Sequence, residues 1–316
     1  MGKKVNFTLG SKIILCVSFV LIFSFSLYLF VTDSFPTNTV FKERDFYNQS
    51  FNDDKNIVLI GSSHVGMLNV THIDQKLRDD DQLYNVYNLA QKGDNPIKRI
   101  KTIDQIIKMN PNIIIYGISY RDFNEEFKNP LPDPKEQLRY FFLQLNINEN
   151  PKMWTLEKIR TINPEWFALD KEISFNNTPF MTYDTARDMK VLTNEEIDNY
   201  LVLEPKNINL NSADNNYQTS ALIKTINEFN KQNISVIVYL TPIHEKYRNE
   251  INITQKLIFD DIVKRIINET EVEIFNLSDK YDTMPVWSDL AHLSLHSNAL
   301  THNDDIVKII KKEIEK

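Results

Sequence analysis

Two short stretches, far apart in the chain, combine residue types suited to nucleophilic chemistry. The first is Gly61-Ser62-Ser63-His64, at the end of the apolar run Asn56-Ile57-Val58-Leu59-Ile60. A serine that follows a buried strand and opens a helix has its hydroxyl at the sheet edge, beside the backbone N–H groups of the turn. Taken alone, the same pattern describes a helix cap, because serine is a common N-cap residue. The second stretch is Trp287-Ser288-Asp289-Leu290-Ala291-His292-Leu293, where an Asp precedes a His by three residues. On a turn or short helix that spacing puts both side chains on one face. The carboxylate can then accept from one imidazole nitrogen and leave the other as a base toward a serine. Ser63, Asp289 and His292 therefore have the composition of a nucleophilic triad, whose chemistry needs no cofactor.

Other polar residues near strand ends admit two readings each. His64 follows the candidate nucleophile, and adjacent helical residues point apart, so it is expected to line the pocket or cap the turn. His244, in Thr241-Pro242-Ile243-His244, either meets a substrate or is solvated. Arg121 and Asp122 either bind an anionic group or pair with each other. His292 and His296 are four apart, a spacing that can hold metal on a helix, but no acidic third ligand accompanies them in a recognisable motif and no metal is expected.

The elements that must position these residues follow an alternating pattern. Residues 56–60, 84–89, 112–117, 234–240 and 272–275 read as five short strands, several of them continuous apolar runs suited to burial on both faces. Helical stripes cover Pro96 to Met109, with Pro in the first turn, then 217–232, 254–268 and 304–316. Strands alternating with helices predict an α/β fold, a doubly wound, flavodoxin-like parallel sheet of five strands. From Arg121 to about Ala213 the alternation is lost, and Pro130, Pro132 and Pro134 break it. A structureless loop of that length would be unusual, so a mainly helical insertion is expected there. Its scattered aromatic residues form either a small core or a sugar platform. Sites in such sheets form at the C-terminal strand ends, near the switch in strand order.

Placed on those strand ends, the motifs resemble the SGNH/GDSL hydrolase superfamily. The resemblance covers about residues 55–120 and 230–316 and excludes the insertion. It implies that Gly61-Ser62-Ser63 matches Gly-Asp-Ser with Ser63 as the nucleophile. It also implies that Gly93, in Asn88-Leu89-Ala90-Gln91-Lys92-Gly93, offers a backbone N–H to an oxyanion, and that Asp289 and His292 are the orienting acid and the base. The chain departs twice. Ser62 stands in place of the first-block Asp, and the third block, Gly-x-Asn-Asp in the family, reads Gly117-Ile118-Ser119-Tyr120. Loss of an oxyanion donor of that kind costs about 10²–10³ in kcat. Ser119 is the candidate replacement, with a shorter and less directed hydroxyl. The resemblance implies an ester hydrolase or O-acyltransferase; the missing Asn leaves open a non-catalytic protein that keeps the fold and binds glycan.

The location expected for this domain comes from the other end of the chain. Ile13 to Val31 is an uncharged run of 19 residues, which as a helix spans roughly 28 Å, the thickness of a bilayer core. Lys3, Lys4 and Lys12 precede it and Asp33 is the first charge after it, so residues 1–12 are expected in the cytoplasm and the remainder outside. The rival reading, a cleaved signal, fits less well: the run is long and ends in bulky residues, although Ser24-Phe25-Ser26 offers small ones. Residues 32–54 read as a polar stalk and 55–316 as the domain. Cys16 is the only cysteine, so the outer domain has no disulfide and no Cys-based metal site or nucleophile. A net charge of −7 argues against nucleic acid as a partner. Seven Asn-x-Ser/Thr triplets after the anchor are compatible with an extracytoplasmic location. A tethered domain would suit a substrate at the cell surface, such as the acyl ester of a glycan.

Overall fold

The computed structural model describes residues 17–20, 46–49, 51, 55–80, 83–124, 173–175, 177–183, 185–203 and 208–316. Among these, all but 17–20 belong to one compact unit formed by Asp45–Leu131 and Asp170–Lys316. The expected anchor, 13–31, lies outside the described residues except for one helical turn at 17–20, as do the N-terminus and most of the stalk. Among the described residues no helix is long and apolar enough to cross a membrane.

Strand β1 (Lys55–Ile60) leads into the short helix α1 (Ser63–Gly66) and then α2 (Val70–Arg78). Strand β2 (Tyr84–Asn88) is followed by α3 (Pro96–Arg99), a 3-10 turn (Ile100–Thr102) and α4 (Ile103–Lys108). Strand β3 (Pro111–Ile118) ends in a second 3-10 turn, Tyr120–Phe123. The described part of the insertion holds the strands β4 (Ile173–Phe175) and β5 (Thr178–Tyr183) and the helices α5 (Thr185–Asp188) and α6 (Asn194–Leu203). Then come α7 (Tyr217–Lys231), β6 (Ser235–Leu240), α8 (Glu245–Glu250), α9 (Ile253–Thr270), β7 (Glu273–Asn276) and α10 (Leu300–Ile314).

The main sheet has the order β2-β1-β3-β6-β7, and every pairing in it is parallel. With β4 and β5 set aside, this is the doubly wound order that alternation predicts, with its switch between β1 and β3. Ile57, Val58, Leu59 and Ile60 are fully buried, as are Ile114, Ile115 and Ile118. Covering by helices on both faces is why these strands are continuous apolar runs rather than alternating ones.

Three expectations change. The stripe at 96–109 is not one helix: the Thr102 hydroxyl donates to the Arg99 carbonyl at 3.0 Å, a back-bond that competes with the helical ladder and bends it. The expected stalk reaches the core at its end, because Phe46 and Tyr47 are buried. The Phe46 ring meets Phe51, Tyr87 and Phe180 edge-on at 5.4–5.9 Å, a favourable aromatic geometry. The insertion, expected to be mainly helical, includes the antiparallel hairpin β4–β5 beside its two helices. Pro179 argues against a central strand but is tolerated in a two-stranded ribbon.

Packing beneath α1 is close. Gly61 has φ +145°, and a side chain there would lie 2.5 Å from Val65 Cγ2 and 2.6 Å from the Gly117 carbonyl oxygen. Gly117 presents the same constraint from β3, where an added Cβ would come 2.4 Å from Val65 Cγ2. Gly61→Ala therefore combines a disfavoured backbone with overpacking and is expected to cost about 2–4 kcal/mol. Urea denaturation checks this; a midpoint unchanged from wild type would refute the close approach.

Candidate functional site

The turn from β1 into α1 sets the direction of two serines. Ser62 occupies the N-cap position in extended conformation, yet its side chain makes no capping bond. Its hydroxyl lies 2.9 Å from His64 Nδ1 instead. Ser63 is the first residue of α1, and its Oγ is 2.7 Å from His292 Nε2, across 229 positions of sequence. The capping reading of this turn therefore applies to neither side chain.

Asp289 and His292 lie on a tight loop rather than a helix. The loop is closed by a bridge between Trp287 and Leu293, by Ser288 N–H to the His292 carbonyl at 3.0 Å and by Ser294 N–H to the Val286 carbonyl at 2.7 Å. Within it, Asp289 Oδ1 accepts from the backbone N–H groups of Ala291 and His292, both at 2.7 Å. The His292 Nδ1–H donates to the same carboxylate, 2.8 Å from Oδ2. That bond fixes the tautomer and leaves Nε2 to accept the Ser63 hydroxyl proton. Both contacts are within the 2.6–3.2 Å reach of a working nucleophile and base. Burial by itself would raise the Asp289 pKa, but the His292 ring and the two backbone donors overcome it and hold the carboxyl down at about 2. The carboxylate is therefore ionised wherever His292 acts as a base.

Segments of the insertion brace both halves of this arrangement. Met181 packs on Gly66, where a side chain would lie 2.5 Å from its Cε, and the Tyr183 hydroxyl donates to the Gly66 carbonyl at 2.6 Å. Farther on, Leu192 N–H donates to the Trp287 carbonyl and Leu295 N–H to the Asp188 carbonyl, at 2.8 and 2.7 Å. Nothing in the residue pattern of the insertion marks these contacts in advance.

The remaining predicted residues divide. Gly93 has φ +66° and takes the third place of a turn closed by Asp94 N–H to the Gln91 carbonyl at 3.1 Å; space around its Cα is open. This loop is tied to the nucleophile turn by Gln91 N–H to the Gly61 carbonyl at 3.1 Å. It is also anchored by the buried Arg99, whose Nε donates to Asp94 at 2.8 Å and whose Nη2 donates to the Leu89 carbonyl at 3.0 Å. Removing one partner of such a buried ion pair costs about 3–5 kcal/mol.

Ser119, expected as an oxyanion donor, spends its hydroxyl on Asp122 at 3.0 Å, and its N–H meets the same oxygen at 2.5 Å. An Asp three residues after the cap makes a capping box with Ser119. Arg121 directs Nε and Nη2 at the Tyr247 hydroxyl, at 3.3 and 3.2 Å, with the guanidinium over that ring. His244 is not solvated. It is buried, caps α8 by accepting from Lys246 N–H at 3.1 Å, and packs edge-on against Trp287 at 5.1 Å. His296 caps a 3-10 turn by accepting from Asn298 N–H at 3.2 Å. Among the described residues no group of three His, Cys, Asp or Glu side chains could hold a metal ion.

Sequence reasoning missed the polar layer behind the nucleophile. Asp122 is buried, and burial pushes its carboxyl up to about 7 against the hydrogen bonds from Ser119 and a weaker one from Ser62. His64 is buried and stacks on His292, with ring centroids 4.8 Å apart and planes inclined by 17°. The Ser62-for-Asp departure at the first block was the one available signal, since Asp122 returns a carboxyl group to Ser62 from the turn after β3.

No family model matches the chain, and no curated protein does. Solved structures that overlap it include an acetyl xylan esterase, AlAXEase (11% identity, 81% of this chain and 99% of that one, TM-score 0.44). Others are the psychrotrophic esterase EstA from Pseudoalteromonas sp. (12%, 83% and 100%, 0.44) and a lipase/acylhydrolase from Enterococcus faecalis (12%, 82% and 96%, 0.44).

The raised Asp122 pKa has a direct consequence for stability. The folded protein holds this proton at pH values where the unfolded chain has released it, so the contribution is full below about 4 and disappears as pH rises through about 7. Thermal unfolding from pH 4 to 8 is expected to show wild type losing ground to Asp122→Asn as pH rises. A difference in Tm that stays constant across that range would contradict it.

Proposed function

We propose that the chain is an SGNH-like serine ester hydrolase or O-acyltransferase. The observation that carries the reading is the continuous chain of hydrogen bonds Ser63 Oγ to His292 Nε2, and His292 Nδ1 to Asp289, at 2.7 and 2.8 Å. In this reading His292 takes the Ser63 proton as Oγ attacks an ester carbonyl. The tetrahedral intermediate collapses when the alcohol leaves with that proton, and the acyl group stays on Ser63. Water or a sugar hydroxyl then attacks the acyl-serine, giving its proton to His292, and Ser63 is restored. Backbone N–H groups of Ser63 and Gly93 are the proposed oxyanion donors.

Placement and substrate class belong to the same proposal. Residues 13–31 are read as a single membrane anchor with the domain on the outer side, so the substrate is an acyl ester, such as O-acetyl, on a cell-surface glycan or other envelope polymer. Alkaline carbonate extraction should leave the full chain in the membrane fraction; full release into the supernatant would reject the anchor.

A second reading, a non-catalytic glycan-binding protein, is favoured by one observation: the Ser119 hydroxyl is committed to Asp122, so the third block has no side-chain donor in place of the family's Asn. A fluorophosphonate probe and an acetyl ester separate the two. Wild type should be labelled and should turn the ester over, and Ser63→Ala should abolish labelling and lower kcat by at least about 10³-fold. Labelling that persists in Ser63→Ala would defeat the mechanism, and a wild type inert to both reagents would favour the binding protein.

A further inference from the structure

The bond from His292 Nδ1–H to Asp289 fixes one end of the imidazole but leaves the ring able to swing about that bond. A base that must also point Nε2 at Ser63 needs something to hold its plane. His64 lies against that plane, nearly parallel at 17° and 4.8 Å between centroids. We infer that His64 is a positioning residue: its ring is the flat wall that keeps the His292 imidazole in the plane joining Asp289 to Ser63, and Ser62 with Asp122 keeps the wall in place. The inference deepens the esterase reading and rests on it for its catalytic consequence.

The wall is itself anchored. His64 Nδ1 is 2.9 Å from the Ser62 hydroxyl. Asp122 lies close enough to Ser62 for that hydroxyl to favour its charged form, and it accepts from the N–H and the hydroxyl of Ser119. The Ser62 hydroxyl therefore ties the His64 ring to the turn that carries the nucleophile. The Nε2 atom of His64 is buried and among the described residues has no hydrogen-bond partner. A structural filler for this space would more cheaply be apolar, and the ring orientation is what an apolar filler need not supply.

Charge supports the same role. Burial first, and then the nearby His292, Arg121 and His302, hold His64 neutral, with Asp289 acting the other way. A neutral aromatic face stacked on His292 attracts the imidazolium that forms when Ser63 gives up its proton, whereas a second cation there would repel it.

The test compares His64→Phe, which keeps a flat face, with His64→Leu, which fills the volume without one, in the full-length chain in detergent. The readout is the downfield proton resonance of His292 Nδ1–H in its charge-assisted bond to Asp289, followed with kcat and KM on an acetyl ester. Wild type and His64→Phe should show the resonance. His64→Leu should lose it to solvent exchange, and its kcat should fall by about 10²-fold with KM unchanged, as for a misplaced catalytic group. A wild type without the resonance, a His64→Leu resonance as sharp as wild type, or its equal loss in both variants overturns the inference. Should wild type show the resonance yet fail to react with a fluorophosphonate, the esterase reading fails while the resonance of the two variants still decides the place of His64.

Discussion

Val65 pressed into the notch left by two glycines is the contact on which the site depends. Gly61 follows the first strand and Gly117 nearly ends the third, and a Cβ on either would lie within 2.5 Å of a Val65 methyl. Because neither has one, the helix α1 sits directly on the sheet at its topological switch. The serine at its first position is then carried by backbone that has almost no room to move. A well-packed interior does not deform continuously, so the direction of the Ser63 hydroxyl is inherited from the sheet itself.

The base comes from the opposite end of the chain and is held by different means. Its loop has no regular element to stiffen it, and instead Asp289 turns it by accepting from two of the loop's own N–H groups as well as from the imidazole. Trp287, fully buried and held by Leu192 N–H, pins one side of the loop, and the Asp188 carbonyl, accepting from Leu295 N–H, pins the other. The insertion that breaks the alternating pattern therefore becomes part of the scaffold, because its hairpin also seats against the end of α1.

Behind the nucleophile lies a buried polar layer that an apolar core would avoid. Asp122, Ser119, Ser62 and His64 are joined in it, and the pair Arg99–Asp94 lies close by. Two carboxylates near the serine are consequently driven in opposite directions. Asp289, served by an imidazole and two N–H groups, is held at about 2, whereas Asp122, dominated by burial, rises to about 7. Environments that push like groups apart in this way are how one site assigns different tasks to the same residue type.

Much of this was legible in the residue pattern, and for stated reasons. Apolar runs such as 57–60 and 113–115 mark strands covered on both faces, and alternation with helices implies a parallel sheet. The Asp-x-x-His spacing and a serine after a strand end were enough to nominate Asp289, His292 and Ser63, because local spacing and the strand-end rule both operate within a few residues. Ser119 and His244 each lie at a strand end, and their capping bonds, a capping box for the first and a helix cap for the second, were not legible from spacing alone. The hairpin at 173–183 and the aromatic contact of Phe46 were hidden by a Pro in a strand and by a stretch of mostly polar chain. What the sequence by itself determined was the strand–helix order and the chemical types brought to the strand ends, since these follow from periodicity and near-neighbour sterics. Only the tertiary structure decided that Ser63 meets His292 at 2.7 Å, that His64 stacks behind it and that Asp122 anchors the layer. Those contacts join different elements, Ser63 and His292 across 229 positions, and their geometry depends on how whole elements pack rather than on any residue's neighbours in the chain.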